Sequence, residues 1–90
     1  MAADKMDIDL ASALDNIDER MVEFTAEVDG EEYQFGVQYA VLEALSGDMP
    51  EDDAIEMFTR FSDTIGEAGL VALRRDDSAD LIVISENDLE

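Results

Sequence analysis

Asp29-Gly30 is the feature that most constrains how this chain folds, because it joins two segments whose apolar residues alternate. Val22, Phe24, Ala26 and Val28 lie on one face before it, and Tyr33, Phe35, Val37 and Tyr39 alternate after it. A two-residue type I′ turn needs positive φ at both central positions, which Asp-Gly tolerates, and its twist matches that of the flanking strands. Closing the hairpin there fixes the register. Phe24 then faces Phe35, Val22 faces Val37, and Ala26 faces Tyr33, with only the turn-adjacent Val28 opposite a polar residue, Glu31. A slip of one residue would destroy this matching. The opposite face carries Glu23, Thr25, Glu27, Glu32 and Gln34, and the register sets Glu27 directly across from Glu32.

The remaining elements follow from periodicity. Met6, Leu10, Ala13, Leu14 and Ile17 recur at spacings of three and four, which predicts a short helix over 6–17 with Asp4 as its cap. A second helix is expected over 39–46, with Val41, Leu42 and Leu45 inward and Gly47 at its C-terminal stop. Pro50 opens a longer helix whose first turn holds Glu51, Asp52 and Asp53, where the macrodipole favours anions. Its apolar stripe is Ala54, Phe58, Phe61, Ile65, Ala68 and Ala72, supported by an i,i+4 pair from Glu56 to Arg60. Residues 70–75 either continue the helix, the preferred reading, which places Arg74 and Arg75 at its C-terminus, or turn into a strand. Asp76-Asp77-Ser78 reads as a turn, Leu81 to Ile84 as a buried strand, residues 86–90 as a polar tail and residues 1–5 as a disordered start. The expectation is one α+β domain: an antiparallel β-hairpin plus a third strand forming a small sheet, with two to three helices packed on one face.

Val22-Glu23-Phe24, Val28-Asp29-Gly30, the segment around Leu42, the long helix and the closing Ile82-Val83-Ile84-Ser85 ahead of Asp88-Leu89 follow one another in a distinctive order. Over residues 21–89 this order resembles the proteobacterial domain of unknown function 1488 family. The resemblance implies an α+β fold and carries no established activity, so no functional residue follows from it. The chain departs from that pattern in being far more acidic and in adding an N-terminal helical segment.

Charge constrains partners rather than fold. The 90 residues include 25 acidic and five basic ones, for a net of −20, yet 47% are apolar, too many for a disordered acidic tail. Direct nucleic-acid binding and an anionic membrane surface are disfavoured, since both require Lys and Arg. No apolar run approaches the ~18 residues of a membrane span, and a basic–apolar leader is not apparent, so a cytoplasmic protein is expected.

Histidine and cysteine are absent, which removes zinc sites, thiol nucleophiles and imidazole-based triads. The five glycines form no phosphate loop, and Glu51-Asp52-Asp53 and Asp76 to Asp80 do not match a calcium loop. Neither catalysis, a cofactor nor a dedicated metal site is therefore expected. The leading expectation is a non-enzymatic nucleic-acid mimic or inhibitor that occupies a basic protein surface. Its candidate face joins Glu23, Glu27, Glu31 and Glu32, with Glu51, Asp52, Asp53 and Glu56 as additions. The alternatives are an acidic domain of unknown cellular role, for which salt adaptation is one account of the charge, and a protein–protein adaptor. Mimicry requires clustering, because an even spread gives about 260 Å² per net charge against about 110 Å² on duplex DNA.

Overall fold

The computed structural model describes residues 6–75 and 80–89. In chain order the elements are β1 (Asp7–Asn16), β2 (Met21–Val28), β3 (Glu31–Gln38), α1 (Tyr39–Ser46), α2 (Ala54–Arg60), α3 (Ser62–Arg75) and β4 (Ile82–Ile84), closed by a 3₁₀ turn at Glu86–Asp88. The four strands form one mixed sheet in the order β1-β2-β3-β4. The first three are antiparallel, and β4 runs parallel to β3, which the three intervening helices make possible. The architecture is α+β, as expected, with one strand more than the sequence suggested.

The hairpin has the anticipated register, including Phe24 against Phe35, Val22 against Val37 and Glu27 against Glu32. Asp29 and Gly30 both take positive φ, 57° and 82°. Phe24 and Phe35 stack with ring centroids 5.4 Å apart, and Phe58 of α2 packs against Phe24 at 4.7 Å. These three rings join Val22, Val37, Val41, Leu42, Ile65 and Ile84 in the core between the sheet and the helices. The helices cover one sheet face only, because the alternation leaves the other face polar.

Three expectations are corrected. Residues 7–16 form a strand and not a helix. Asp7 to Asp9 pair with Glu27 to Thr25, and Leu14 to Asn16 pair with Glu23 to Met21, so that Leu10 to Ala13 bulge out against Phe24 alone. The bulge resets the strand's phase, and the reset imitates a helical period. Met6, Ile8 and Ala13 pack on the core, whereas Leu10, Leu14 and Ile17 are exposed. Ser12 holds the bulge: its hydroxyl donates to the Asp9 carbonyl at 2.6 Å and accepts from the Thr25 amide at 2.8 Å. Thr25 thus keeps a ladder partner where the backbone has swung away.

The long helix is two. Helix α2 ends at Arg60, capped by Phe61 (φ −105°), and α3 starts at Ser62. Thr59 donates its hydroxyl to the Ile55 carbonyl at 3.0 Å, a back-bond of the kind that bends helices. The stripe survives the break, with Ala54, Phe58, Ile65, Ala68 and Ala72 all buried. Helix α3 runs to Arg75 despite Gly66 and Gly69 because both glycines face the sheet. A Cβ on Gly69 would stand 2.6 Å from Met6 Cε and 3.3 Å from Ile84 Cδ1, so a methyl group there would displace the end of Met6 and crowd Ile84.

The polar tail is packed down over residues 86–89. Asp88 is buried, and it accepts two hydrogen bonds from Arg75, at 2.7 and 3.2 Å, and one from the Ser85 amide at 3.0 Å. Arg75 also donates to the Val83 carbonyl at 3.3 Å, so the end of α3, β4 and the closing turn are tied at one guanidinium. The expected turn at 76–78 and the N-terminal residues 1–5 lie outside the described residues.

Candidate acidic interface

The open face of the sheet is built by the same alternation that builds the core. Along β2, Glu23, Thr25 and Glu27 point away from the helices, and along β3 Glu32 and Gln34 do so. Pairing with β1 adds Asp7 beside Glu27 and Asp9 beside Thr25. The outcome is a row of three carboxylates abreast, Asp7–Glu27–Glu32, one on each of three neighbouring strands. Asp9 sits in the next row with Thr25 and Gln34, and Glu23 in the row after that. Asp7, Asp9, Glu27 and Glu32 line one shallow depression. Glu23 is half-buried and accepts a hydrogen bond from Asn16 Nδ2 at 2.8 Å, which fixes its carboxylate. None of the three strands contains a lysine or arginine.

Magnitudes show how dense this face is. One residue on one face of a sheet occupies roughly 33 Å² of sheet plane, from a ~6.8 Å repeat along the strand and ~4.8 Å between strands. The nine positions in the three rows therefore cover roughly 300 Å² and carry five carboxylates, or roughly 60 Å² per charge. Duplex DNA presents about 110 Å² per charge. The whole molecule averages about 280 Å², its 5603 Å² surface divided by 20 net charges. The open face is therefore more densely charged than DNA, although the average surface is not.

The residues singled out in the sequence separate into two sides. Glu23, Glu27 and Glu32 are together on the open face. Glu31 is not with them: it pairs with Val28 and accepts a hydrogen bond from the Tyr33 hydroxyl at 2.9 Å, on the face that carries the core. Glu51, Asp52 and Asp53 lie in the connection between α1 and α2, before the helix and not in its first turn, with Glu56 just inside α2. The helices cover the face opposite the row, so this second acidic group cannot extend it. Asp48, Glu51, Asp52 and Asp53 surround a depression that also holds Arg60, which offsets part of their charge. Glu56 and Arg60 do not close into an ion pair; the pair found among the described residues is Arg75–Asp88. Asp7 and Asp9 are the members that sequence reasoning missed, because a residue read as helical has no cross-strand neighbour.

Three further observations complete the description. Among the described residues no group of three or more carboxylates is arranged to hold a metal ion. Tyr39, at the start of α1, donates its hydroxyl to Asp15, and burial together with that bond pushes its pKa up to about 12. The described residues include no helix long and apolar enough to cross a membrane.

The fold has a solved counterpart. A crystal structure of a protein of unknown function from the domain of unknown function 1488 family, from Shewanella loihica PV-4, superposes with a TM-score of 0.73 over 93% of this chain and 94% of that one. The fold is that family's fold. Sequence identity is 17%, so the likeness is one of architecture. It reaches further than the resemblance read from residues 21–89, which span 69 of the 90 positions: coverage of 93% takes in part of the first 20 residues as well. At least part of β1 therefore belongs to the shared fold, and in this chain that segment is a strand and not an added helix. No family model and no curated protein matches the sequence.

Proposed function

We propose that this chain is a small non-enzymatic binding protein whose open sheet face occupies a basic surface of a nucleic-acid-binding partner, its carboxylates taking the place of backbone phosphates. The observation that carries the reading is the row Asp7–Glu27–Glu32, flanked by Asp9 and Glu23, with no cation on any of the three strands. Like charges opposite one another across strands cost stability. A face that accumulates them is one whose charge is compensated from outside, by counterions or by a cationic surface. Clustering at more than the density of DNA meets the requirement that an even spread fails.

The test is capture of basic proteins on the immobilised chain, followed by elution with duplex DNA. Wild-type protein is expected to retain a nucleic-acid-binding protein that duplex DNA displaces. Neutralising the face (Asp7→Asn, Glu27→Gln and Glu32→Gln together) is expected to abolish retention. Neutralising the same number of charges at Glu51, Asp52 and Asp53 is expected to leave it within twofold. Equal loss in the two triple variants, or retention that DNA does not compete, would show that net charge and not this face governs binding.

A further inference from the structure

We infer that the outer edge of β1, with the groove between it and α3, receives a short extended segment of the basic partner whose apolar and basic residues alternate. The inference rests on the proposed function in taking the partner to be basic, and it adds where and in what conformation a part of that partner sits. Three independent features meet there.

The first is the edge itself. Among the described residues β1 has no strand on its outer side, and an edge strand directs every second N–H and C=O outward, where an added strand can pair with them. The bulge at Leu10–Ala13 ends the regular ladder, which limits pairing to the stretch around Asp7–Asp9 and the added segment to roughly four to six residues. The second is a groove of about 550 Å³ alongside that stretch, lined by the apolar Met6, Ile8, Leu10 and Leu70 together with the polar Ser62, Asp63 and Glu67. Gly66 keeps it open, since a side chain there would grow towards Ile8 Cδ1 and Met6 Cβ, 3.6 and 3.9 Å from its Cβ position. Leu10 remains 44% exposed at its mouth, an apolar side chain left largely uncovered by the described residues.

The third is charge. Asp63 and Glu67, four residues apart on α3, form the groove's far rim, and Asp7 and Asp9 stand on the open-face side of the same strand. Side chains of an added strand point alternately to the two sides of the sheet. One set therefore enters the groove against Met6, Ile8, Leu10 and Leu70, and the other lies over the open face beside Asp7 and Asp9. The first set is best apolar and the second best basic. A second copy of this chain fits poorly, because antiparallel pairing of two β1 edges brings Asp7 and Asp9 of each against the other, between molecules that each carry −20.

The probe is a fluorescein-labelled hexapeptide alternating valine and arginine, compared with its isomer of three valines followed by three arginines, by fluorescence anisotropy at 0.15 M salt. The alternating peptide is expected to bind at least tenfold more tightly. N-methylation of one alternate set of its amides is expected to abolish that advantage, and of the other set to leave it. Gly66→Leu, which fills the groove, and Leu10→Lys, which repels the peptide at its mouth, are each expected to remove the advantage in protein that is folded by circular dichroism. Equal binding of the two isomers, equal effects of the two methylation sets, or an undiminished advantage in both variants would overturn the inference. Neutralising Glu27 and Glu32 weakens both isomers alike and leaves their ratio intact. Failure of the groove thus reads as a lost isomer ratio, and failure of the mimic reading as retention that DNA does not compete.

Discussion

Glu27 is flanked by a carboxylate on each side, Asp7 on β1 and Glu32 on β3, and that arrangement gives a stability prediction of definite size and salt dependence. Directly paired side chains have Cβ atoms about 5 Å apart, which puts the charges at about 6 Å. In bulk-water dielectric each repulsion at that distance is about 0.7 kcal/mol. A Debye length of about 8 Å at 0.15 M salt halves it, so the two neighbours together cost about 0.7 kcal/mol. At 1 M salt, with a Debye length of about 3 Å, the sum falls to about 0.2 kcal/mol. Glu27→Gln keeps the side chain's length and removes the charge, and it should therefore stabilise the fold by about 0.7 kcal/mol at 0.15 M salt, or a Tm rise of roughly 3–6 °C for a domain of this size. Urea denaturation at both salt concentrations measures it. Glu43→Gln is the control: Glu43 is exposed on α1 with no acidic residue within four positions, and it makes the same change in net charge. A gain at Glu27 no larger than at Glu43, or one that persists undiminished at 1 M salt, would refute the row as the source of the repulsion.

Ser12→Ala removes the acceptor of the Thr25 amide and should cost about 1–2 kcal/mol, with faster hydrogen exchange at that amide as the local signature. Arg75→Ala leaves the buried Asp88 carboxylate without its guanidinium and should cost about 2–3 kcal/mol in urea denaturation, less than a fully buried pair because Arg75 is itself half-exposed; Arg75→Lys should recover only part of it. Tyr39 has its pKa raised from 10.0 to about 12, so the fold favours the neutral phenol; the associated stability is fully present below pH 10 and is lost as pH rises through about 12. Alkaline titration of the unfolding free energy should show that decline in wild type and a shallower one in Tyr39→Phe.

Where the sequence was legible, the signal was short-range. The hairpin register follows from a two-residue turn and the alternation on either side of it, so Glu27 facing Glu32 was available from the residues alone. Helix α1 and its Gly47 stop and the buried stripe across α2 and α3 come from local periodicity and capping, whereas the sequence leaves 70–75 open between helix and strand and the structure makes it helix. The errors fall where distant segments set the conformation. Residues 7–16 have a helical spacing of apolar residues, but the free edge of β2 offers them backbone partners and a core face, and a bulge absorbs the mismatch in phase. Asp88 looks like tail polarity until α3 brings Arg75 to it from 13 positions upstream.

The candidate interface divides along the same line. From sequence alone come the excess of acid, its presence on the hairpin's outer face, and the absence of imidazole and thiol chemistry. Only the tertiary structure decides that Asp7 and Asp9 complete that face and that Glu51, Asp52, Asp53 and Glu56 belong to the other side of the molecule, whereas Glu31's place on the core face was already implied by the hairpin register that sets it opposite Val28. Alternation tells which side of its own strand a residue occupies, because that is local geometry. Which strands lie next to one another is decided by burial and backbone pairing summed over the whole chain, and a row of charge across three strands exists only after that choice is made.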